Sequence, residues 1–248
     1  MSIELIEPTM LLTGASRGIG HATVRLFHEN GWRIITVARS PFSSDCPWMG
    51  GPDQHIEADL SDPDCYGRVA DEVRRRLPQG RLSAIVNNAG VSPKLDGGAR
   101  MGISQTHYAD WLDTFNINLF AAAELSRHLL PELKAARGSI VNITSIASAR
   151  VHPFAGAVYA CSKAALAALT REQASEFAAL GIRANALSPG EIDTAILSPG
   201  TEKIVETQVP MNRLGEPGEV AEAVLFLCSE RSSYINGAEI QINGGQHV

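Results

Sequence analysis

Cysteine is scarce in this 248-residue chain: Cys46, Cys65, Cys161 and Cys228 stand far apart, with no Cys-x-x-Cys pair. That excludes a disulfide framework and a zinc site, and it fits a reducing cytoplasm. Basic charge is not in excess either, since 21 Lys and Arg against 27 Asp and Glu give a formal net charge of −6. Neither a nucleic-acid partner nor an anionic membrane is expected from that balance. The densest basic run, Arg74-Arg75-Arg76, follows Val69, Ala70 and Val73 at helical spacing, so it reads as a solvated helix face. No apolar run approaches the roughly 18 residues that span a membrane. Glu4 and Glu7 lie where a signal peptide would carry its basic and apolar regions, so none is expected. Linkers, repeats and low-complexity tracts are missing as well. With 44% hydrophobic and 19% charged residues, the chain reads as one domain over 1–248 with a sizeable core.

What is present begins with Thr13-Gly14-Ala15-Ser16-Arg17-Gly18-Ile19-Gly20. The apolar run Met10-Leu11-Leu12 predicts a short buried strand, and the periodic Ile19, Ala22, Val24, Leu26 and Phe27 predict a helix behind the glycines. A glycine turn lets backbone approach a ligand closely, and the helix start offers unpaired N–H groups and positive dipole. Together these suit an anion such as a dinucleotide pyrophosphate. The spacing is Gly-x-x-x-Gly-x-Gly rather than the more familiar Gly-x-Gly-x-x-Gly, and close helix–strand packing would also use these glycines.

Further strands are predicted at 33–38, 55–58, 82–86, 139–144, 182–187 and 238–242, with a Pro-, Ser- and Gly-rich surface loop over 40–53. Asp62-Pro63 reads as an N-cap and first helical position, opening a helix to about Leu77. A long helix is expected over 108–136, bent or divided at Pro131, and another over 156–180 stopped by Gly181. Pro217 opens a last helix to about Cys228. Between them lie a long polar loop at 91–106 and a flap at 193–215 carrying short helices. Alternating strands and helices, with near-continuous apolar strands, imply an α/β fold: a doubly wound parallel Rossmann-type sheet of about seven strands covered on both faces. Ligands are then expected beyond the carboxyl ends of the strands.

One further absence points to the ligand. An acid that would bond a ribose 2′-hydroxyl is expected about 20 residues past the glycines. The second strand instead ends in Ala38-Arg39-Ser40. Arg39, with Arg17 from the glycine turn, suits a 2′-phosphate, so NADP(H) is preferred over NAD(H). Solvation of a strand end is the plainer role for Arg39.

Tyr159 and Lys163 stand at i and i+4, so phenol and ammonium share a helix face. A nearby cation favours the phenolate and is expected to lower the tyrosine from its usual value near 10. Ser145 ends the fifth strand, where its hydroxyl can hold a substrate carbonyl; Ser148 falls in the loop beyond. Asn118 sits mid-helix, where asparagine is a poor former, and either bonds locally or orders a water near Lys163.

With Asn87-Asn88-Ala89-Gly90, Asp59, and Pro189-Gly190 with Thr194, these motifs resemble in order the short-chain dehydrogenase/reductase family, from about Thr9 to Gly245. The resemblance implies a catalytic tetrad of Asn118, Ser145, Tyr159 and Lys163. It implies a cofactor site built from Gly14, Ser16, Arg17, Gly18, Ile19 and Gly20 in the first turn, and Arg39, Asp59 and Leu60 after the next two strands. Asn87, Ala89 and Gly90 follow the fourth strand, and Tyr159 and Lys163 the fifth; Pro189, Gly190, Ile192 and Thr194 follow the sixth. In that scheme Asp59 contacts adenine, Asn87 supports the central strand, and Ile192 and Thr194 hold the carboxamide. It further implies a homotetramer or homodimer through the helices near 108–136 and 156–180, where Ala164, Ala165, Ala167 and Ala168 permit close contact.

The expected reaction is interconversion of a small-molecule ketone or aldehyde with its alcohol, in the cytoplasm. One alternative is a 3-oxoacyl-[acyl-carrier-protein] reductase, and another is a non-catalytic NADP-binding redox sensor. The substrate is expected between the residues after Gly90, the segment 147–154, Glu191 and the flap, which should order on binding. Arg150 and His152 are read as loop residues before substrate contacts, His107, Tyr108 and Trp111 as helix packing before pocket residues, and Cys161 as packed rather than reactive.

Overall fold

In the computed structural model of this protein, residues 7–41, 51–195 and 197–248 are described. Cys46, most of the loop expected over 40–53, Glu4 and the flap residue Ile196 lie outside them. Seven parallel strands form one sheet: β1 (Thr9–Thr13), β2 (Arg33–Ala38), β3 (His55–Glu57), β4 (Ala84–Asn87), β5 (Ser139–Ile143), β6 (Arg183–Pro189) and β7 (Glu239–Ile242). Their order is β3-β2-β1-β4-β5-β6-β7. The chain therefore reverses direction across the sheet between β1 and β4, which is where such folds leave a crevice.

Successive strand residues point to opposite faces, and here both faces are apolar. Met10 and Leu12 of β1 join Val24, Phe27, Val224 and Leu227 beneath α1 (Gly18–Glu29) and α8 (Pro217–Cys228). Leu11 turns the other way, into Ile35, Val69, Val73, Leu125 and Phe177. Those residues lie under α2 (Cys65–Arg76), α4 (Ala121–His128) and α6 (Ala157–Phe177). Each fully buried aliphatic side chain of this kind is worth about 1.5–3 kcal/mol. No helix among the described residues is long and apolar enough to cross a membrane.

The expected helix at Pro63 begins later, at Cys65. Asp62 does not cap it; its carboxylate accepts the Asp64 N–H at 3.0 Å, and its carbonyl the Cys65 N–H, which closes a turn first. The long helix over 108–136 is broken twice. α3 (Tyr108–Phe115) runs into one wide π-turn, Asn116–Phe120, before α4. Leu129 then interrupts the axis, and α5 (Leu130–Ala136) starts with Pro131 in its first turn.

Segment 193–215, where short helices were expected, holds one helix among its described residues, α7 (Thr201–Gln208). Its two ends are tied together, because Asp193 N–H donates to the Gly215 carbonyl at 2.8 Å and Gly215 N–H to that of Glu191 at 2.9 Å. The loop after β4 is fastened too. Lys94 and Arg100 pair as an antiparallel bridge, Arg100 Nε donates to the Ala155 carbonyl at 2.9 Å, and Ala157 N–H donates to that of Met101 at 3.1 Å.

Candidate active site

A cleft of about 570 Å³ runs along the carboxyl ends of β1, β2, β4, β5 and β6. At one end lies the glycine turn. Gly14 takes φ +74°, and a Cβ there would stand 2.8 Å from the Ala89 Cα, so only glycine lets the turn nest against the end of β4. Asn88 secures that contact, donating from Nδ2 to the Gly14 carbonyl at 2.8 Å and to the Thr13 carbonyl at 3.1 Å. Asn88, not among the cofactor-site residues expected from the sequence, stands directly beside Asn87 in the same motif. Arg17 precedes α1 in extended conformation, so the turn delivers the helix N-terminus and its free N–H groups to the cleft.

Ser16, Arg17, Gly18, Ile19, Arg39, Asp59, Leu60, Ala89 and Gly90 all line this cleft, as do Pro189, Gly190, Ile192 and Thr194. Gly20 and Asn87 do not. Gly20 is a packing residue, since a Cβ there would meet the Gly14 carbonyl oxygen at 2.1 Å. Asn87 is buried and donates to Asn142 Oδ1 at 2.8 Å, joining β4 to β5. Asp59 accepts the backbone N–H and the hydroxyl of Ser61 on one oxygen, each at 2.9 Å. The backbone bond, chiefly, lowers its pKa against a small desolvation cost, with Ser61's hydroxyl and the Arg39 charge assisting.

At the other end, Ser145, Tyr159 and Lys163 share the wall. Ser145 follows β5 in extended backbone and caps a short turn, its Oγ accepting the Ala147 N–H at 3.2 Å. Its hydroxyl also acts on Tyr159, lowering the phenol's pKa. Ser148 sits inside that turn, away from the cleft. Lys163 is buried, and its Nζ donates to the Ile143 carbonyl at 2.7 Å. Gly90 is needed beside it, because a Cβ there would come within 3.3 Å of Nζ.

The acidification of Tyr159 expected from Lys163 is not what the structure gives. Desolvation drives the Tyr159 pKa above its usual value; the Ser145 hydroxyl pulls it down, and the Glu191 charge pushes it further up. Lys163 sits 5.9 Å from the centre of the Tyr159 ring, and its own burial lowers it to about 8. The ammonium is thus itself disfavoured here, while its hydrogen bond goes to β5 rather than to the phenol.

Asn118 lies behind the cleft wall, 2% exposed. Its Oδ1 accepts the Val91 N–H at 2.8 Å, and its Nδ2 donates to the Val91 carbonyl at 3.0 Å and to Ser162 Oγ at 2.9 Å. Ser162 in turn donates to the Tyr159 carbonyl at 2.8 Å. The π-turn presents Asn118 to this clamp, which joins the loop after β4 to the helix bearing Tyr159 and Lys163.

A smaller cavity of about 90 Å³ opens from the same place, sharing Ser145, Tyr159, Gly190 and Leu197 with the cleft. Ser92, Lys94, Ala147, His152, Phe154, Glu191, Ser198 and Thr201 complete much of it. Arg150 is not in it; its guanidinium bonds the Gln246 carbonyl at 2.6 Å and Gln208 at 3.2 Å. His107, Tyr108 and Trp111 also lie elsewhere, with Trp111 against Phe115. His152 departs from expectation: it is buried in the wall rather than placed on a loop surface. Cys161 departs as well, being exposed, because two residues on from Tyr159 a helix faces the opposite way. Ala167 is likewise buried, leaving Cys161, Ala164 and Ala168 as the outer stripe of α6.

The family model described as "Enoyl-(Acyl carrier protein) reductase" matches residues 14–247. The chain belongs to the short-chain dehydrogenase/reductase family of oxidoreductases. Protein FixR of Bradyrhizobium diazoefficiens is 55% identical over 98% of this chain and 88% of its own length. The 3-oxoacyl-[acyl-carrier-protein] reductase FabG of Thermotoga maritima is 33% identical over 95% and 96%. A solved short-chain oxidoreductase from Brucella ovis, in complex with a partially ordered NAD, superposes with a TM-score of 0.83 at 52% identity, covering 96% of this chain and all of that one.

Proposed function

We propose that this protein is an NADP(H)-dependent carbonyl reductase acting on a small ketone or aldehyde. The observation that carries the reading is one cleft with an anion-suited glycine turn at one end and Ser145, Tyr159 and Lys163 at the other. The residues suit a dinucleotide. The helix N-terminus would hold the pyrophosphate, Asp59 and Leu60 the adenine, Ile192 and Thr194 the carboxamide, and Lys163 the ribose hydroxyls. Arg39 and Arg17, both exposed at the rim, favour a 2′-phosphate. When bound, the reduced coenzyme supplies the hydride.

The chain's own residues handle the oxygen and the proton. Ser145 Oγ holds the substrate carbonyl, and Tyr159 Oη donates the proton as the alkoxide develops. Lys163 and Asn118 act from behind, through the bonds to Ile143 and Ser162. Segment 193–215 is proposed as the substrate flap, hinged where Glu191 and Asp193 meet Gly215.

Relatives named as 3-oxoacyl-[acyl-carrier-protein] reductases support acyl thioesters as a second reading. The small cavity, at about 90 Å³, leaves little room for a long acyl chain there. The redox-sensor reading is disfavoured, because Tyr159 and Lys163 are both present at the cleft. Self-association through the helices of 108–136 and 156–180 is proposed as well, supported by exposed Tyr108, Leu112 and Phe120 and by the small stripe of α6.

The test is a panel of ketones, aldehydes and an acetoacetyl thioester, run with NADPH and with NADH. Reduction of small ketones with a clear NADPH advantage is expected. Turnover of the thioester alone, or of nothing, would overturn the reading.

A further inference from the structure

The small cavity is walled by one half-buried cation, Lys94, and one buried carboxylate, Glu191. Lys94 Nζ bonds the Phe154 carbonyl and Ser198 Oγ, the latter at 3.1 Å, leaving one ammonium N–H without a partner among the described residues. Glu191 is 7% exposed. Its Oε1 takes His152 Nε2 at 2.5 Å and Gln246 Nε2 at 3.3 Å. His152 Nδ1 receives the N–H groups of Phe154 and Ala155 at 3.2 and 3.3 Å. That ring nitrogen is therefore the acceptor, the proton sits on Nε2, and the imidazole is neutral. Both bonds fall on Glu191 Oε1, and Oε2 has no hydrogen-bond partner among the described residues.

We propose that Glu191 is a specificity residue whose free Oε2 accepts a hydroxyl from the substrate, selecting small neutral hydroxylated ketones over plain ketones and acyl thioesters. The cavity's size and charge set that class. Tyr159 and Ser145 share its about 90 Å³ with Glu191, so a ligand touching all three is a few atoms long. Lys94 disfavours an ammonium and Glu191 a carboxylate, which leaves a neutral donor. A buried site built to bond a hydroxyl rejects the analogue lacking it, because its own polar group is then left unpaired. This inference rests on the carbonyl-reductase reading for its substrate pose.

The experiment compares 3-hydroxybutan-2-one with butan-2-one, which differ by one hydroxyl, as substrates with NADPH. Calorimetric titration of butane-2,3-diol and butan-2-ol, with and without NADP⁺, runs in parallel on wild type and Glu191→Gln. In the variant the carbonyl oxygen stays with His152, so the amide N–H₂ turns to the cavity and the acceptor is lost. Wild type is expected to favour the hydroxyketone at least tenfold in kcat/KM, and the diol at least tenfold in Kd. Both ratios should fall toward one in Glu191→Gln. Ratios near one in wild type, ratios unchanged in the variant, or tighter binding of 3-aminobutan-2-one would overturn the proposal. Should no ketone turn over, the reductase reading fails by itself, and the diol titration still decides the role of Glu191.

Discussion

The two ends of the cleft are built from different materials. At the glycine end the contacts are made by backbone: a positive-φ turn, a helix N-terminus and the close approach of Gly14 to Ala89. At the tyrosine end they are made by side chains brought from helix α6 and from the loops after β4, β5 and β6, with Lys163 and Glu191 buried and Lys94 half-buried. The first end is fixed by local chain geometry and suits a constant ligand part. The second is held by long-range bonds, so it can be retuned by single substitutions without unmaking the sheet.

Tyr159→Phe sharpens that contrast most. It is expected to lower kcat about 10²–10⁴-fold, the usual weight of a general acid, while NADPH binding by fluorescence titration stays intact. Near-normal turnover would move the proton donor elsewhere.

Arg39→Ala should act only at the glycine end. A lost charge-assisted bond is worth about 1.5–3 kcal/mol, or roughly 10–150-fold in the Kd of NADPH, with NADH little affected. Equal losses for both coenzymes would make Arg39 a solvating residue of the strand end.

A further effect, on stability rather than on binding or turnover, is one of pH. Lys163 titrates near 8 in the folded protein and near 10.5 when unfolded. Below pH 8 both states hold the proton, and the cost of burying the ammonium is fully present. As pH rises from 8 to 10.5 the folded state releases the proton first, so stability should rise by about 3 kcal/mol from this group. Urea unfolding of wild type and Lys163→Met across that window isolates it. A constant difference between the two would place the lysine in solvent.

The same division explains what the sequence discloses. Strand β2 and helix α8 fall on the residues expected, because apolar runs and the opening proline of α8 are local signals. The glycine turn is legible for the same reason. The π-turn at Asn118 is not, since its register depends on a clamp to Val91 and Ser162, far along the chain. The shift of Tyr159 is opposite to expectation because i, i+4 spacing states proximity to Lys163 but not desolvation. The contact of His152 with Glu191 spans 39 residues and carries no sequence pattern. Cys161, by contrast, was open to simple helical geometry: its place between Tyr159 and Lys163 puts it outside if they are inside.

A crystal structure of the ternary complex with NADP⁺ and a bound alcohol decides whether Tyr159 and Ser145 meet the reacting oxygen. The alcohol oxygen is expected within about 2.6–3.2 Å of both Tyr159 Oη and Ser145 Oγ, beside the nicotinamide ring. An alcohol bound away from Tyr159, or a Tyr159 hydroxyl turned out of the cleft with coenzyme in place, would contradict that expectation.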